Sequence, residues 1–425
     1  MQRLTQPLLK IENAYQPISF EQAFDIIVEN CRPSDGNETL VMSNGDYSNE
    51  ELYLIQKLAR AGLKTNALGS FDYYRRGTAF FIDKNDIVPF AELFASSMFF
   101  CILDETANTN PAKLIRNIID SCEKTPKYFF NTPGSLQIRN WGCFFRSINQ
   151  YLIQNGLEKG IYINGLGKNY QTYRDKILSE DPQSLLDANG LQKQDIISFV
   201  ETVMQTEAPV FIAWERFLDE RAAFELENLC MLLDIQAKPS TGFLCIKAEL
   251  NSQGLFDMGM FPNICVGGLP FDEDNTQIMH DLYQTDVQTQ PVDLGTLIEQ
   301  KAFKQCCIFN ATGSSIPLEI TEQMKNARFS MLHTAFWDET TTDFNLLLPA
   351  ALPEESAGTY TDTTRTPHNN KPEIDCPLPF NNLQQLAQIL KRLGISSSDE
   401  ASDLFLEYIS FFKGGCRSKF RHFFR

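Results

Sequence analysis

Basic residues are scarce in this sequence: 37 Lys and Arg stand against 54 Asp and Glu, a formal net charge of −17 at pH 7. Contacts to nucleic-acid phosphates need a basic surface, so nucleic acid is not an expected partner. The 11 cysteines are odd in number and none falls in a Cys-x-x-Cys pair, which excludes the usual disulfide framework, zinc site or iron–sulfur motif. Cys306-Cys307, adjacent inside an apolar run, read as strand interior. No apolar run approaches the roughly 18 residues of a membrane span. The start, Met1-Gln-Arg-Leu-Thr5, lacks a basic-then-apolar leader, so a reduced, cytoplasmic chain is expected. There is no Gly-x-Gly-x-x-Gly fingerprint, no Gly-Lys-Ser/Thr phosphate loop at a strand end and no internal repeat, so a plain nicotinamide or ATP site is not expected.

What is present is a globular composition, 43% hydrophobic and 21% charged, spread over 425 residues, too many for one ordinary core. Six short apolar runs carry β-branched or aromatic residues: Thr39–Ser43, Phe99–Leu103, Lys127–Phe130, Pro209–Ala213, Cys306–Phe309 and Phe329–His333. Helical patterns follow nearly all of them. Continuous apolar strands alternating with helices predict parallel sheets covered on both faces. Ser48-Asn-Glu-Glu51 predicts a capping box opening a helix whose Leu52, Ile55, Leu58 and Ala59 face the sheet. Beyond Pro349, residues 354–376 read as an extended polar surface segment. Helical patterns follow near Leu383–Leu393 and Ser398–Phe412.

Ligands of doubly wound sheets sit at the carboxyl ends of strands. The corresponding loops here are Asn44–Ser48, Asp104–Pro111, Trp214–Phe217 and Asn310–Ser315. A further run, Asn251-Ser-Gln-Gly-Leu-Phe-Asp-Met-Gly259, is polar and glycine-bearing, and reads as a loop lining a cleft. Its glycines permit a positive φ or a close backbone approach, and Gln253 and Asp257 would aim amide and carboxylate into the space it lines. His333, at a predicted strand end, reads as a satisfied core residue, with an acid–base role as the alternative. The tail from Lys413 to Arg425 is basic and aromatic on an acidic chain, and Phe420, Phe423 and Phe424 make it a candidate docking segment.

Several segments, in order, resemble the molybdopterin oxidoreductase superfamily, which includes formate dehydrogenases, nitrate reductases and the large iron–sulfur subunit of complex I. Arg3-Leu-Thr-x-Pro-Leu8 with Ile18-Ser-Phe-Glu-Gln-Ala23 resembles the entry into that family's large domains. Ser48-Asn-Glu-Glu51 through Gln56-Lys-Leu-Ala-Arg60 and Thr65-Asn66 resembles its "Thr-Asn-Glu-Glu … Gln-Lys … Gly-Thr-Asn" helix. Asn251-x-Gln-Gly-x-x-Asp-Met-Gly259 matches "Asn-Asn-Val-Gln-Gly-x-x-Asp-Met-Gly", and Asp343–Ala350 with Glu355–Asp362 and Arg365 resembles "Ala-Asp-Val-Val-Leu-Pro … Glu-x-x-Gly-Thr-Phe-Thr-Asn … Arg".

The resemblance implies two doubly wound, mostly parallel α/β domains of the formate dehydrogenase II–III type. One is built from residues 1–72 and 251–375, the other is inserted at 73–250, and a helical extension spans 376–425. The family's 4Fe–4S domain and carboxyl-terminal β-barrel have no counterpart in this sequence. Where relatives place a Cys or selenocysteine metal ligand, this chain has Phe71-Asp72-Tyr73-Tyr74-Arg75-Arg76-Gly77, with no Cys, Ser or His. No catalytic residue or metal ligand is therefore assigned, Asp72 being the nearest carboxylate, and an ion pair between Asp72 and Arg75 or Arg76 is expected to fill the vacated site. Asn251, Gln253, Gly254, Asp257 and Gly259 mark a vestigial or retained pterin site.

The expected function is a cofactor-free, non-catalytic subunit of a cytosolic redox complex of the NADH dehydrogenase, hydrogenase or formate dehydrogenase kind, docking iron–sulfur and flavin subunits. The alternative is the pterin-holding part of a split molybdenum or tungsten enzyme, binding molybdopterin guanine dinucleotide and acting on formate or a similar one-carbon substrate. A third possibility is a free-standing nucleotide-binding module.

Overall fold

The computed structural model describes all residues except 1, 13, 32–36, 77–89, 103–116, 118, 236–239, 289, 291, 338–342 and 414–425. The loop at 104–111 and the basic tail at 414–425 thus lie outside the described residues. The described residues divide into two compact units, one comprising 2–75, 249–362 and 366–413, the other 76–248 and 363–365. Both are α/β, with parallel sheets at their centres, and no described helix is long and apolar enough to cross a membrane.

The first unit is built on seven strands in the spatial order Ala14–Pro17, Leu8–Ile11, Leu346–Pro349, Phe329–Thr334, Gln305–Phe309, Thr39–Ser43, Leu68–Ser70. The last five run parallel; Leu8–Ile11 and Ala14–Pro17 add an antiparallel edge. Every residue of Thr39–Ser43 and Gln305–Phe309 is buried, which is why these strands read as unbroken apolar runs. Alternation sends Leu40, Met42, Cys306, Ile308, Leu332 and Leu347 into one core with Ile298, Phe303, Ile320 and Met324. On the other face the Cys31 Sγ, just past the Phe20–Asn30 helix, lies 3.8 Å from the Cys307 Sγ. The expected capping box is present: Ser48 Oγ accepts from Glu51 N (3.2 Å), and Ser48 N donates to Glu51 Oε2 (2.8 Å). The helix it opens, Asn49–Lys57, is buried at every residue and widens into a π-helical turn at Leu58–Gly62.

The second unit has four parallel strands in the order Lys127–Phe129, Met98–Ile102, Pro209–Trp214, Gly242–Ile246. Phe100, Phe130, Phe144, Phe199 and Phe211 fill its core with ring centroids 5.0–5.6 Å apart. The Trp141–Gln154 helix carries Arg146 into a buried polar cluster with Glu225, while Glu180 binds its outer side at 2.6 Å.

Two expectations from the sequence are corrected. The glycine-bearing run is not an open loop: Ser252–Asp257 forms a short helix, buried throughout. Nor is 354–376 a plain surface segment, because Gly358–Thr361 pairs antiparallel with Pro367–Asn370 and all four residues of the former are buried.

Candidate functional site

Numbered in chain order, the parallel strands of the first unit run 2-1-3-4-5 in space, so the strand order reverses between Thr39–Ser43 and Gln305–Phe309. That switch point is where an α/β sheet of this kind has its ligand crevice. The loops leaving those two strands meet there and bond to one another. Asn44 Nδ2 donates to Asn310 Oδ1 (3.2 Å) and Ser314 Oγ (3.0 Å), and Asn310 Nδ2 donates to Ser314 O (2.8 Å). The Asp46 carboxylate accepts from both Asn44 Nδ2 and the Thr312 hydroxyl. Burial pushes the Asp46 carboxyl above the usual range, against the lowering effect of its two donors.

Beneath these loops, Tyr47 Oη lies 2.9 Å from His333 Nδ1, with both side chains fully buried. Desolvation drives His333 down to about 3, so the ring is neutral at physiological pH and has no proton to exchange near neutrality. His333 is thus a buried core residue.

The glycine-bearing run supplies the next layer. Asn251 Nδ2 donates to Tyr47 O (2.8 Å) and Asn49 Oδ1 (3.0 Å), while Asn251 Oδ1 accepts from Thr361 N (2.8 Å). Asn49 Nδ2 reaches the Thr359 and Thr361 hydroxyls at 3.0 and 2.9 Å. Gly254 faces this cluster so closely that a Cβ there would lie 2.3 Å from both the Asn251 and Asn49 side-chain oxygens. Gln253 and Asp257 are 1% and 3% exposed, and Gln253 Nε2 donates to Asp257 Oδ1 (3.2 Å), so they bond to each other inside the protein. Gln253 Oε1 is buried without a hydrogen-bond partner. Gly259 takes φ +74°, the positive value that glycine was expected to supply.

Arg60, whose local role the sequence did not announce, holds the far end of the run. Its guanidinium is fully buried and donates to Gly259 O (2.9 Å), Phe261 O (2.7 Å) and Ile264 O (2.9 Å), with Asn66 Oδ1 on Nε (3.1 Å). The one available signal was a charge placed within the apolar stretch Leu58-Ala-Arg-Ala-Gly-Leu63. Glu50, Asn382 and Tyr408 were also missed, as was the bond from Asn382 to Glu51 beyond its capping box; together they fasten the unit's C-terminal elements.

The segment that aligns with the family's metal-ligand loop is split between tasks. Asp72 accepts from Gly45 N (3.1 Å), at the base of the first strand-end loop. Tyr73 is buried against Phe256 and Phe261, with centroids 4.8 and 5.8 Å away. Arg75, at φ +61°, turns outward to Glu299 (2.7 Å) and Glu319 (2.9 Å) and stacks on Tyr74, so the expected ion pair with Asp72 does not form through Arg75. The two glutamates lie on other helices of the unit and outcompete a carboxylate three residues away on a tight turn. Arg76, in the second unit, donates to the Glu215 carbonyl. Among the described residues no group of three or more His, Cys, Asp or Glu is placed to hold a metal ion.

Two α/β units with parallel sheets, one with its switch-point loops bonded to each other, define the class. Comparison then gives the relationship. A family profile described as "Molybdopterin oxidoreductase" matches residues 3–92. "Putative formate dehydrogenase SAB2186c" of Staphylococcus aureus (strain bovine RF122 / ET3-1) is 22% identical over 459 aligned residues, which cover 94% of this chain. A similarly named protein of Staphylococcus haemolyticus (strain JCSC1435) is 22% identical over 420, covering 86%. The chain spans only 42% and 40% of the lengths of these two relatives. Among solved structures, acetylene hydratase from Pelobacter acetylenicus matches with a TM-score of 0.63 at 12% identity, over 96% of this chain and 64% of that one. A chain of the formyltransferase/hydrolase complex (FhcABCD) from Methylorubrum extorquens, solved with methylofuran, matches with a TM-score of 0.57 at 10% identity, over 91% of this chain and 98% of that one. The family match is thus to residues 3–92, and the likeness over the rest of the chain is one of fold.

The residues expected to mark a vestigial or retained pterin site are hydrogen-bonded inside the unit. Asn251 bonds to Asn49 and Gln253 to Asp257, and the Asn49 and Asn251 side-chain oxygens stand 2.3 Å from where a Cβ on residue 254 would lie.

Proposed function

We propose that this chain is a non-catalytic, cofactor-free subunit of a multi-subunit complex that handles one-carbon units. The observation that carries the reading is the network at the switch point, where Asn44, Asp46, Asn310, Thr312 and Ser314 spend their polar groups on one another. The likeness over 98% of a chain from a formyltransferase/hydrolase complex supports partners that work by formyl transfer and hydrolysis. This reading departs from the expectation of an electron-transfer complex with iron–sulfur and flavin subunits. The tail at 413–425 is a candidate docking segment for such partners.

A second reading, the pterin-holding part of a split molybdenum or tungsten enzyme, is favoured by the formate dehydrogenase names of the relatives and by one structural detail. The orphan Gln253 Oε1 is a buried acceptor of the kind a ligand N–H could satisfy. Purification of the tagged full chain from its source cells separates the two. The subunit reading expects a stable complex in which formyl-transfer or hydrolase activity resides with the other subunits and persists without a pterin. Formate oxidation that follows this chain, and is lost with its pterin, overturns that reading.

A further inference from the structure

A cavity of about 560 Å³ lies between the hairpin of Gly358–Thr361 with Pro367–Asn370 and the Ala401–Lys413 helix, all within the first unit. The helix lends it one stripe, Ala401, Ser402, Phe405 and Leu406, paired at i, i+4 spacing. Leu404, Tyr408 and Phe411 take that helix's inward face and are buried. Leu406 is 66% exposed, so an apolar wall is left uncovered beside the cavity. A volume of this size falls within the roughly 300–1,000 Å³ of small-molecule sites.

Glu50 lines the same cavity, although it is only 1% exposed. Its carboxylate accepts from Thr359 N (2.7 Å), Thr359 Oγ1 (2.7 Å) and Tyr408 Oη (3.0 Å). All three donors are neutral, and each favours the ionised form. Glu51, the next residue, likewise accepts from Ser48 N (2.8 Å) and Asn382 Nδ2 (2.9 Å). Among the described residues no Lys, Arg or His pairs with either carboxylate: Lys57 is committed to Glu407 (2.9 Å), and Lys371, also on the cavity wall, makes no ion pair with Glu50. Burial pushes the Glu50 carboxyl up while the Thr359 and Tyr408 donors pull it down. The donors are thus arranged around a charge whose desolvation no positive group offsets.

We propose that this cavity binds a small organic cation, with a single ammonium or guanidinium set against the Glu50 carboxylate on a compact apolar body that packs on Phe405 and Leu406. The ligand supplies the positive charge that the fold withholds, and it covers the apolar wall. The strand passes the carboxylate as bare backbone, since a Cβ on Gly358 would lie 2.9 Å from Glu50 Oε2. Lys371 repels a second positive charge, so a monocation is preferred to a diamine. Asn44, Asp46, Asn310, Thr312 and Ser314 do not line this cavity, so the site stands apart from the switch point and from the function proposed on it.

Hydrogen exchange of the full chain, titrated with phenethylamine at constant neutral pH, tests this, with the Gln305–Phe309 strand as internal reference. Added protection is expected within residues 358–361 and 401–408 at millimolar amine, while the reference holds. Hydrocinnamate, its anionic counterpart, and the diamine cadaverine are expected to bind weaker by about tenfold or more. Glu50→Gln, which removes the charge and keeps the size, is expected to cost a similar factor. Leu406→Lys, at a position exposed enough to leave the fold intact, sets a second cation in the apolar wall and is expected to weaken the amine too, so it decides even if Glu50→Gln fails to fold. No added protection with phenethylamine, equal protection by hydrocinnamate, or a Leu406→Lys chain that binds as wild type does would each overturn the site. Protection that appears only once residues 414–425 are removed would also overturn it, because the basic tail would then be the occupant.

Discussion

Gly254→Ala distinguishes a glycine kept for a ligand from a glycine kept for the protein's own packing. In a helix interior, alanine is favoured over glycine by about 1 kcal/mol, and Gly254 lies inside the Ser252–Asp257 helix without a positive φ. Propensity alone therefore predicts stabilisation. The environment predicts the reverse, since the new methyl would sit 2.3 Å from both Asn49 Oδ1 and Asn251 Oδ1. Neither oxygen is the free end of a flexible side chain. Asn251 is tied to Tyr47 O and Thr361 N, and Asn49 to the Thr359 and Thr361 hydroxyls. Overpacking costs roughly 1–3 kcal/mol, and each buried polar group left unpaired adds about 1–3 kcal/mol. Set against the propensity gain, a net loss of about 3 kcal/mol is expected, or on the order of 6–12 °C in melting temperature for a unit of this size. Thermal and urea unfolding of the chain without added ligand measure it. A Gly254→Ala chain as stable as wild type would refute the reasoning, because it would mean that the space beside Gly254 is open, as a ligand site requires.

Three further substitutions probe the same architecture. Arg60→Lys cannot reproduce a fork that serves Gly259, Phe261 and Ile264 together, so it should cost roughly 2–4 kcal/mol in urea unfolding, and a loss under 1 kcal/mol would count against the assigned role. Asn310→Ala removes an acceptor shared by Asn44 and Ser314 and should destabilise the ligand-free chain by about 2–3 kcal/mol; a neutral effect would mean the switch point is not held shut by this network. His333 is held at about 3, below its unfolded value near 6.5, so the unfolded chain binds its proton first and stability is lost as pH falls from about 6.5 towards 3. At pH 5 this amounts to about 2 kcal/mol, and the gap between wild type and His333→Gln should shift by that much between pH 7 and 5. An unchanged gap would show that the ring is accessible to protons in the fold.

Much of the sheet architecture was legible because buried parallel strands impose a pattern that little else produces. All six apolar runs are strands, and Thr39–Ser43 has the expected bounds. The capping box at Ser48 was readable for a similar reason, since its two hydrogen bonds span only three residues. The half-exposed edge strands Leu8–Ile11 and Ala14–Pro17 carry no such pattern. The Gly358–Thr361 strand was hidden because what buries its polar threonines comes from Asn49, Glu50 and Asn251, more than a hundred residues away in sequence. The candidate site was legible in ancestry and not in state. Asn251, Gln253, Gly254 and Asp257 are the residue types a ligand loop uses, and the same amides, carboxylate and missing Cβ serve internal packing equally well. Which use prevails depends on where Asn49 and Thr361 lie in space. The outward turn of Arg75 was unreadable likewise, since Glu299 and Glu319 become its neighbours only in the folded unit.

The central claim, that this chain holds no redox cofactor of its own, is tested most directly by elemental analysis of the complex purified under native conditions, with pterin release measured on the same sample. The account predicts molybdenum and tungsten far below one atom per copy of this chain and no released pterin. One molybdenum or tungsten per copy, accompanied by a pterin, would contradict it.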